Sequence, residues 1–153
     1  MVLDVVIYPD ERLETECAPI EEVIESIQQL AKDMIETMYA HDGIGLAANQ
    51  VGHMIRMLVV DISEDQDSAM TLVNPKIIDS KGQCSIKEGC LSFPEQEVEI
   101  IRAEEVWVEA INFEGHAFRL VGKGLAAIVL QHEIDHLDGI TMEARAAMQE
   151  IKE

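Results

Sequence analysis

The sequence has few basic residues, and this shortage excludes several classes of protein. Its 153 residues include 11 Lys and Arg against 30 Asp and Glu, which gives a formal net charge of −19 and a pI near 4.4. Binding to the phosphates of nucleic acids requires clusters of Lys and Arg. Because the sequence contains no such cluster, we expect no direct binding to nucleic acids.

Long apolar runs and a cysteine framework are also absent. The longest strongly apolar run, Leu125 to Leu130, is far shorter than the roughly 20 residues that cross a membrane, so we expect no membrane association. The N-terminal residues lack the basic segment of a secretory signal. The three cysteines, Cys17, Cys84 and Cys90, are an odd number at irregular spacing, unlike a secreted disulfide framework. We therefore expect a cytoplasmic protein with reduced thiols.

The apolar residues that are present predict one domain with several helices. Hydrophobic residues make up 48% of the chain, and a single core is typical at roughly 100–150 residues, so residues 1–153 are expected to form one domain. Apolar residues at steps of three and four predict a long amphipathic helix from about Ile20 to about Tyr39. A second helix is predicted from Gly124 to Leu137, and a short third helix from Met142 to Ile151.

Between the first two helices lie several segments with the pattern of β-strands. They cover residues 57–62, 70–73, 77–79, 98–101, 106–113 and 116–121, with a hairpin turn at Asn112 to Gly115. Strands grouped between helices, without regular alternation of strand and helix, indicate an α+β fold.

The second predicted helix contains the sequence His132-Glu133-Ile134-Asp135-His136. Residues four positions apart are separated by about 400° around the helix axis, so both imidazoles leave the same face about one turn apart. Both rings can therefore reach one divalent metal ion, with Glu133 beside them as a proton acceptor. The alternative is a helix end that carries two unrelated histidines.

Two histidines do not complete a catalytic metal site, which normally has three protein ligands and an open position. Downstream, Glu143 is the main acidic candidate for the third ligand. Upstream, the segment Glu88-Gly89-Cys90-Leu91-Ser92 offers the thiol of Cys90. A buried and inert thiol is the common role of a free cysteine, so the residues alone leave the third ligand open.

A further cluster, Gly43-Ile44-Gly45-Leu46-Ala47-Ala48-Asn49-Gln50, is rich in small residues that permit close backbone approach. By itself it is compatible with a packing loop. Taken together, Gly43–Gln50, Glu88–Ser92 and His132–His136 resemble, in order and spacing, the three signature motifs of bacterial peptide deformylases. The likeness extends from about Val5 to about Ile140.

The resemblance implies a fold and a reaction. The fold would be α+β, with antiparallel or mixed β-sheets packed around a central helix that carries the HExxH motif and with a long N-terminal amphipathic helix. The reaction would be hydrolysis of the N-formyl group from the N-terminal methionine of nascent polypeptides, with release of formate. One divalent metal ion per chain would be the cofactor, Fe²⁺ in the cell, with Zn²⁺, Ni²⁺ or Co²⁺ as substitutes.

The resemblance also implies roles for individual residues. Glu133 would be the general acid and base, and Gln50 and the backbone N–H of Leu91 would hold the developing oxyanion. As a separate hypothesis, we expect Glu88 to pair with Arg102 and to brace the Cys90 segment. The implied metal ligands are Cys90, His132 and His136, and the implied substrate-binding residues are Ile44, Gly45, Ile86, Gly89, Leu125, Ile128 and Val129.

Two other functions remain as alternatives. One is a zinc protease that uses the same HExxH helix, and the other is a non-catalytic metal-binding domain with four protein ligands. Members of the deformylase family commonly carry a longer, basic C-terminal helix for ribosome docking, and the sequence ends at Glu153 without one. We therefore expect no docking through such a tail, and we expect a monomer in the cytoplasm of a bacterium, or of a bacterial host if a virus encodes it.

Overall fold

The structure, a computed structural model, describes residues 1–63 and 65–151. The predicted domain of residues 1–153 thus includes positions 64, 152 and 153, which lie outside the described residues. The helices are α1 (Glu25–Ala40), α2 (Leu125–Leu137) and α3 (Met142–Ile151), and two short 3₁₀ helices cover Glu11–Glu14 and Ala48–Val51. The strands are β1 (Gly45–Ala47), β2 (Met57–Val60), β3 (Met70–Lys81), β4 (Cys84–Cys90), β5 (Phe93–Arg102), β6 (Glu105–Ile111) and β7 (Ala117–Lys123).

The strands form two antiparallel sheets. One has five strands in the order β1-β2-β3-β6-β7, and the other pairs β4 with β5. In β6, buried and partly exposed residues alternate, which matches a strand with one face on the core. The predicted α+β fold with antiparallel sheets is therefore confirmed.

The first helix begins later than predicted. Its periodic pattern starts at Ile20, but α1 begins at Glu25. The backbone N–H of Ile20 donates to Oδ1 of Asn74 at 2.8 Å, and its carbonyl accepts from Nδ2 of Asn74 at 2.7 Å. These bonds hold residue 20 outside a helix, while its side chain still packs in the same core cluster as α1.

Each predicted strand segment overlaps an observed strand, but the bounds differ: the predicted segments 57–62 and 106–113 extend two residues beyond β2 and β6, while 70–73, 77–79 and 98–101 cover only parts of longer strands. The predicted segments 70–73 and 77–79 belong to one strand, β3, in which register shifts interrupt the alternation of side chains. The strands β1 and β4 were not predicted. Strand β4 is held by its partner β5, since its own sequence has only one aliphatic residue, Ile86.

Helix α2 contacts strands of both sheets, namely β1, β2 and β7 of the larger sheet and β5 of the smaller one. Its buried residues Ala127, Leu130 and Leu137 pack in a core cluster with Leu58, Val108 and other residues of the larger sheet. This position buries the His132–His136 segment. No helix among the described residues has both the length and the apolarity to cross a membrane.

Candidate active site

Three potential metal-ligand atoms meet where β4 ends beside α2. Sγ of Cys90 lies 3.3 Å from Nε2 of His136, and the Nε2 atoms of His136 and His132 are 3.1 Å apart. All three atoms lie within 4.8 Å of one another. The other candidate for the third ligand, Glu143, is exposed on α3 and does not belong to this group.

The chemistry of these three atoms fits a divalent transition-metal ion. Nδ1 of His132 pairs with Oε1 of Glu88 at 2.8 Å, so Nδ1 carries a proton and Nε2 is the nitrogen that faces the other two atoms. A proton between these three atoms can pair them, and a cation in the same place would accept an electron pair from each of the three. One thiolate and two imidazoles form a set that suits zinc, iron and related ions.

Burial and neighbouring groups shift the pKa values of the two imidazoles in opposite directions. Burial lowers the pKa of His132, but its hydrogen bonds with Cys90 and Glu88 outweigh burial and raise the pKa to about 10. Burial lowers the pKa of His136 well below its ordinary value, and the neighbouring His132 adds to this effect. Cys90, His132 and His136 together therefore favour one positive charge between them. A bound cation would supply this charge in place of the second proton of His132.

A network of buried charges supports the ring of His132. Both carboxylate oxygens of Glu88 accept from Arg102 at 2.9 Å, so the predicted pair of Glu88 and Arg102 is confirmed. Arg102 also pairs with Asp135, which accepts in turn from Arg145 at 2.7 and 3.1 Å. Burial would raise the pKa of Glu88, but the hydrogen bonds from His132 and Arg102 hold it below its ordinary value. An ionised Glu88 therefore fixes the orientation of the imidazole.

Glu133 is almost fully buried and lines the same cleft. Burial raises the pKa of its carboxyl to about 7. Among the described residues, its Oε1 has no hydrogen-bond partner. Strand β1 passes so close that a Cβ on Gly45 would lie 2.7 Å from Oε2 of Glu133. Glycine at this position therefore leaves room for a carboxylate that can accept and return a proton.

The amide of Gln50 is oriented by the chain around it. Its Oε1 accepts from the backbone N–H of Ala47 at 2.9 Å, which turns Nε2 towards Ser92 Oγ at 3.1 Å and Cys90 Sγ at 3.4 Å. Leu91 lies in the turn between β4 and β5, directly after Cys90. Gln50 and Leu91 both line the cleft.

The cleft has a volume of about 850 Å³. Its lining includes Cys90, His132 and Glu133, while His136 lies behind them and is almost fully buried. Ile128 and Val129 are nearly buried in its wall, and Leu125 lies more exposed. All seven predicted substrate-binding residues line it: Ile44, Gly45, Ile86, Gly89, Leu125, Ile128 and Val129.

Sequence reasoning missed several residues of the cleft. Val5 and Ile7 come from the N-terminal segment, which is held by Val6 N–H to Gln50 O at 2.7 Å and Tyr8 N–H to Ser92 O at 2.9 Å. The run of β-branched and aromatic residues Val5-Val6-Ile7-Tyr8 is a sequence pattern that could have indicated an extended segment. The other missed lining residues, which belong to no motif pattern, are His41, Asp42, Lys87, Pro94 and Glu95.

Comparison with solved structures shows close similarity over nearly the whole chain. A peptide deformylase from Legionella pneumophila is 40% identical, with a TM-score of 0.89 over 99% of this chain and 96% of that chain. A peptide deformylase from Ehrlichia chaffeensis in complex with actinonin is 36% identical, with a TM-score of 0.89 over 99% and 96%. A Met-Ala-Ser-bound class I type b peptide deformylase from Acinetobacter baumannii is 33% identical, with a TM-score of 0.87 over 95% and 98%.

The sequence also matches a protein-family model. The model is described as polypeptide deformylase, and the match covers residues 2–152. This range includes all three motifs and the converging Cys90, His132 and His136. The chain therefore belongs to the polypeptide deformylase family.

Proposed function

We propose that the cleft is the active site at which this chain removes the N-formyl group from nascent polypeptides and releases formate. Membership of the family makes the chain an enzyme, a metal-dependent deformylase that acts at the N-terminal methionine. The observation that carries the assignment of the site is the convergence of Cys90, His132 and His136 beside the buried carboxyl group of Glu133.

The three converging residues are the ligands of one divalent metal ion per chain in this proposal. When bound, such an ion lowers the pKa of a water molecule towards neutrality and polarises the carbonyl that is attacked. Fe²⁺ is the ion that we propose for the cell, with Zn²⁺, Ni²⁺ or Co²⁺ as substitutes. The mixed set of one thiolate and two imidazoles supports an ion of this group over Mg²⁺ or Ca²⁺, which prefer oxygen ligands.

Glu133 is the proton carrier of the reaction. Its carboxylate takes the proton of the attacking water and delivers it to the nitrogen of the leaving amine. The free Oε1 and the pKa near 7 suit both steps, since the group can bind and release a proton near neutral pH. Proton transfer of this kind typically contributes about 10²–10⁴-fold to the rate.

Gln50 and the backbone N–H of Leu91 stabilise the negative charge that develops on the formyl oxygen. The contact between Oε1 of Gln50 and Ala47 N–H holds the donor side of the amide towards Cys90 before substrate binds. A donor that is oriented in advance costs no reorganisation during the reaction. One such donor is typically worth about 2.7–4 kcal/mol of the barrier.

The substrate binds as an extended chain with its methionine side chain in an apolar slot. Strand β1 lies at one end of the five-stranded sheet, so the outer side of Gly45 is open to pairing with a peptide, and Gly89 also lines the cleft. The carbonyl of Ile44 already accepts from Asp61 N–H at 2.9 Å, so Ile44 would contribute its N–H. The slot residues are Ile86, Leu125, Ile128 and Val129. Solved deformylases bound to Met-Ala-Ser and to actinonin support a peptide ligand at this site.

The two alternative functions are not favoured. The third ligand-type atom is a thiol, unlike the histidine or carboxylate expected for the protease alternative, and the matching family consists of deformylases. We further propose a single domain, which a family match over residues 2–152 supports. We also propose a monomer that acts on nascent chains in the cytoplasm of a bacterium or of a bacterial host, without direct contact with nucleic acid at a net charge of −19.

The proposal is tested by measuring formate release from a formyl-methionyl tripeptide. Protein loaded anaerobically with Fe²⁺ or Ni²⁺ should release one formate for each new N-terminal amine, and the rate should fall when a chelator removes the metal. Casein, which has no formyl group, should remain intact under the same conditions. Cleavage of casein without formate release would support the protease alternative and contradict the proposal.

A further inference from the structure

The two histidines of the site are held in different ways. Nδ1 of His132 pairs with Glu88, which Arg102 holds in turn. Nδ1 of His136 is buried, and no group within residues 1–63 and 65–151 lies within hydrogen-bonding distance of it. Metal-bound histidines are normally oriented through this second nitrogen. The position of the His136 ring must therefore come from packing and from its own backbone.

The backbone of His136 is fixed by Asn49. His136 is the second-last residue of α2, where carbonyl groups lack partners within the helix. Its carbonyl accepts from Asn49 Nδ2 at 2.7 Å and from Gly139 N–H at 3.0 Å. The side chain of Asn49 is fully buried, and its Nδ2 also lies 3.4 Å from the carbonyl of Arg12. Asn49 thus acts as a donor that closes the C-terminal end of α2.

The position of Asn49 in the chain connects this contact to the rest of the site. Asn49 and Gln50 are neighbours in the 3₁₀ helix Ala48–Val51. Gln50 reaches Cys90 Sγ at the end of β4, while Asn49 reaches the carbonyl of His136 at the end of α2. Two adjacent side chains therefore connect the two elements that carry the thiol and the second imidazole.

We propose that Asn49 is a positioning residue that sets the distance and orientation of His136 relative to Cys90. This inference rests on the proposed role of Cys90 and His136 as metal ligands. The unpaired Oδ1 of Asn49 agrees with a role as donor only, because no described group uses its acceptor. We predict that loss of the Asn49 amide has a larger effect on the rate of metal loss than on the thermal stability of the metal-free protein.

Asn74 offers a control outside the cleft, although its φ of 51° means that leucine there adds backbone strain to the loss of hydrogen bonds. Its side chain also clamps a backbone segment, with Nδ2 donating to the carbonyl of Ile20 at 2.7 Å and Oδ1 accepting from Ile20 N–H at 2.8 Å. That segment precedes α1, and neither Asn74 nor Ile20 lines the cleft. Both polar groups of the Asn74 side chain are paired, so its replacement should cost more in folding and nothing at the metal.

The experiment compares Co²⁺-substituted wild type with Asn49→Leu, Asn49→Ala and Asn74→Leu. Leucine keeps the size of asparagine and removes its donors, and alanine is a second variant in case leucine does not fold. The readouts are the visible absorption bands of Co²⁺, its rate of loss to a chelator, and thermal unfolding of the metal-free proteins. We expect both Asn49 variants to lose Co²⁺ about 10–100-fold faster, with shifted bands. Asn74→Leu should unfold at a lower temperature with unchanged bands.

The possible outcomes separate this inference from the proposed function. Wild-type bands and wild-type metal loss in both Asn49 variants would overturn the inference. So would the same shift in Asn74→Leu, because it would show general loosening of the fold. A wild-type protein whose spectrum lacks a thiolate-to-Co²⁺ charge-transfer band would contradict the assignment of Cys90 itself, and the inference would fail with it.

Discussion

Two carboxyl groups of this protein have almost equally little exposed surface and yet differ widely in pKa. Asp61 follows β2 and is 2% exposed, while Glu133 on α2 is 5% exposed. Burial would raise the pKa of Asp61, but hydrogen bonds from Ser63, Tyr39 and Ser68 outweigh it and lower the pKa to about 2. Burial raises the pKa of Glu133 to about 7, and no such set of donors within residues 1–63 and 65–151 opposes it.

Glu133 lies deeper in the protein than Asp61, and the two groups also differ in how many partners each carboxylate oxygen has. Buried polar atoms are normally paired, because an unpaired one loses its hydration without compensation. Among the described residues, the buried side-chain atoms without a partner are Asn49 Oδ1, Glu133 Oε1 and His136 Nδ1. Two of these belong to the proposed catalytic residues, and Asn49 contacts one of them. Complete pairing at Asp61 holds the structure, and incomplete pairing at Glu133 leaves a group free to react.

The largest expected effect is that of Glu133→Gln. Glutamine has the same size but cannot take up and release a proton. The kcat for formate release should therefore fall by about 10²–10⁴-fold or more. Metal content should be unchanged, because Glu133 is not a proposed ligand. Thermal stability near pH 7 should be kept or increased, since the substitution removes the cost of ionising a buried carboxyl group. Loss of metal together with activity would contradict this and make Glu133 a ligand or a structural group.

A smaller loss of kcat is expected for Gly45→Ala, which displaces the side chain of Glu133 without removing its carboxyl group. The added Cβ would lie 2.7 Å from Oε2 and 2.9 Å from Cγ of Glu133, and 3.0 Å from Cγ1 of Val129. Displacement of a catalytic group by about 1 Å can cost about 10²-fold in rate, so kcat should fall by up to this factor at unchanged metal content.

The double variant Gly45→Ala/Glu133→Asp tests whether Glu133 is the reason for that loss. Aspartate is shorter and leaves space for the added methyl group. The rate losses of Gly45→Ala and Glu133→Asp should therefore not add, and the double variant should be no slower than Glu133→Asp alone. Full additivity would show that Gly45→Ala acts elsewhere, for example on substrate binding.

Prediction from the sequence worked best where local patterns decide the structure. The bounds of α3 match those predicted, and α2 begins one residue later than predicted. The spacing of His132 and His136 on a helix indicated a metal site, because two imidazoles four residues apart share one face. The choice of Cys90 over Glu143 as third partner needed the family resemblance, since no local pattern connects β4 to α2.

The features that sequence reasoning missed depend on distant parts of the chain. The side chain of Asn74 holds Ile20 outside α1, and β4 pairs with β5. Val5 and Ile7 reach the cleft through backbone bonds of the N-terminal segment to Gln50 and Ser92. The contacts of Ile20 with Asn74 and of the N-terminal segment with Gln50 and Ser92 each span more than 40 residues. Periodicity within one segment therefore could not reveal these contacts.

The smallest expected effect on activity is that of Asp61→Asn, which removes the charge of the fully paired carboxyl group. At pH 7 the variant should be less stable by about 1–3 kcal/mol, because its hydrogen bonds lose a charged acceptor, with kcat within about twofold of wild type. The folded pKa of Asp61, about 2, is below the ordinary value of 3.8, so its contribution is complete above pH 3.8 and is lost as the pH falls towards 2. Urea unfolding of both proteins between pH 7 and pH 2.5 should therefore show the stability gap narrowing below about pH 4. A gap that stayed constant over this range would mean that Asp61 stabilises the fold by shape and not by charge, and the contrast with Glu133 would lose its electrostatic basis.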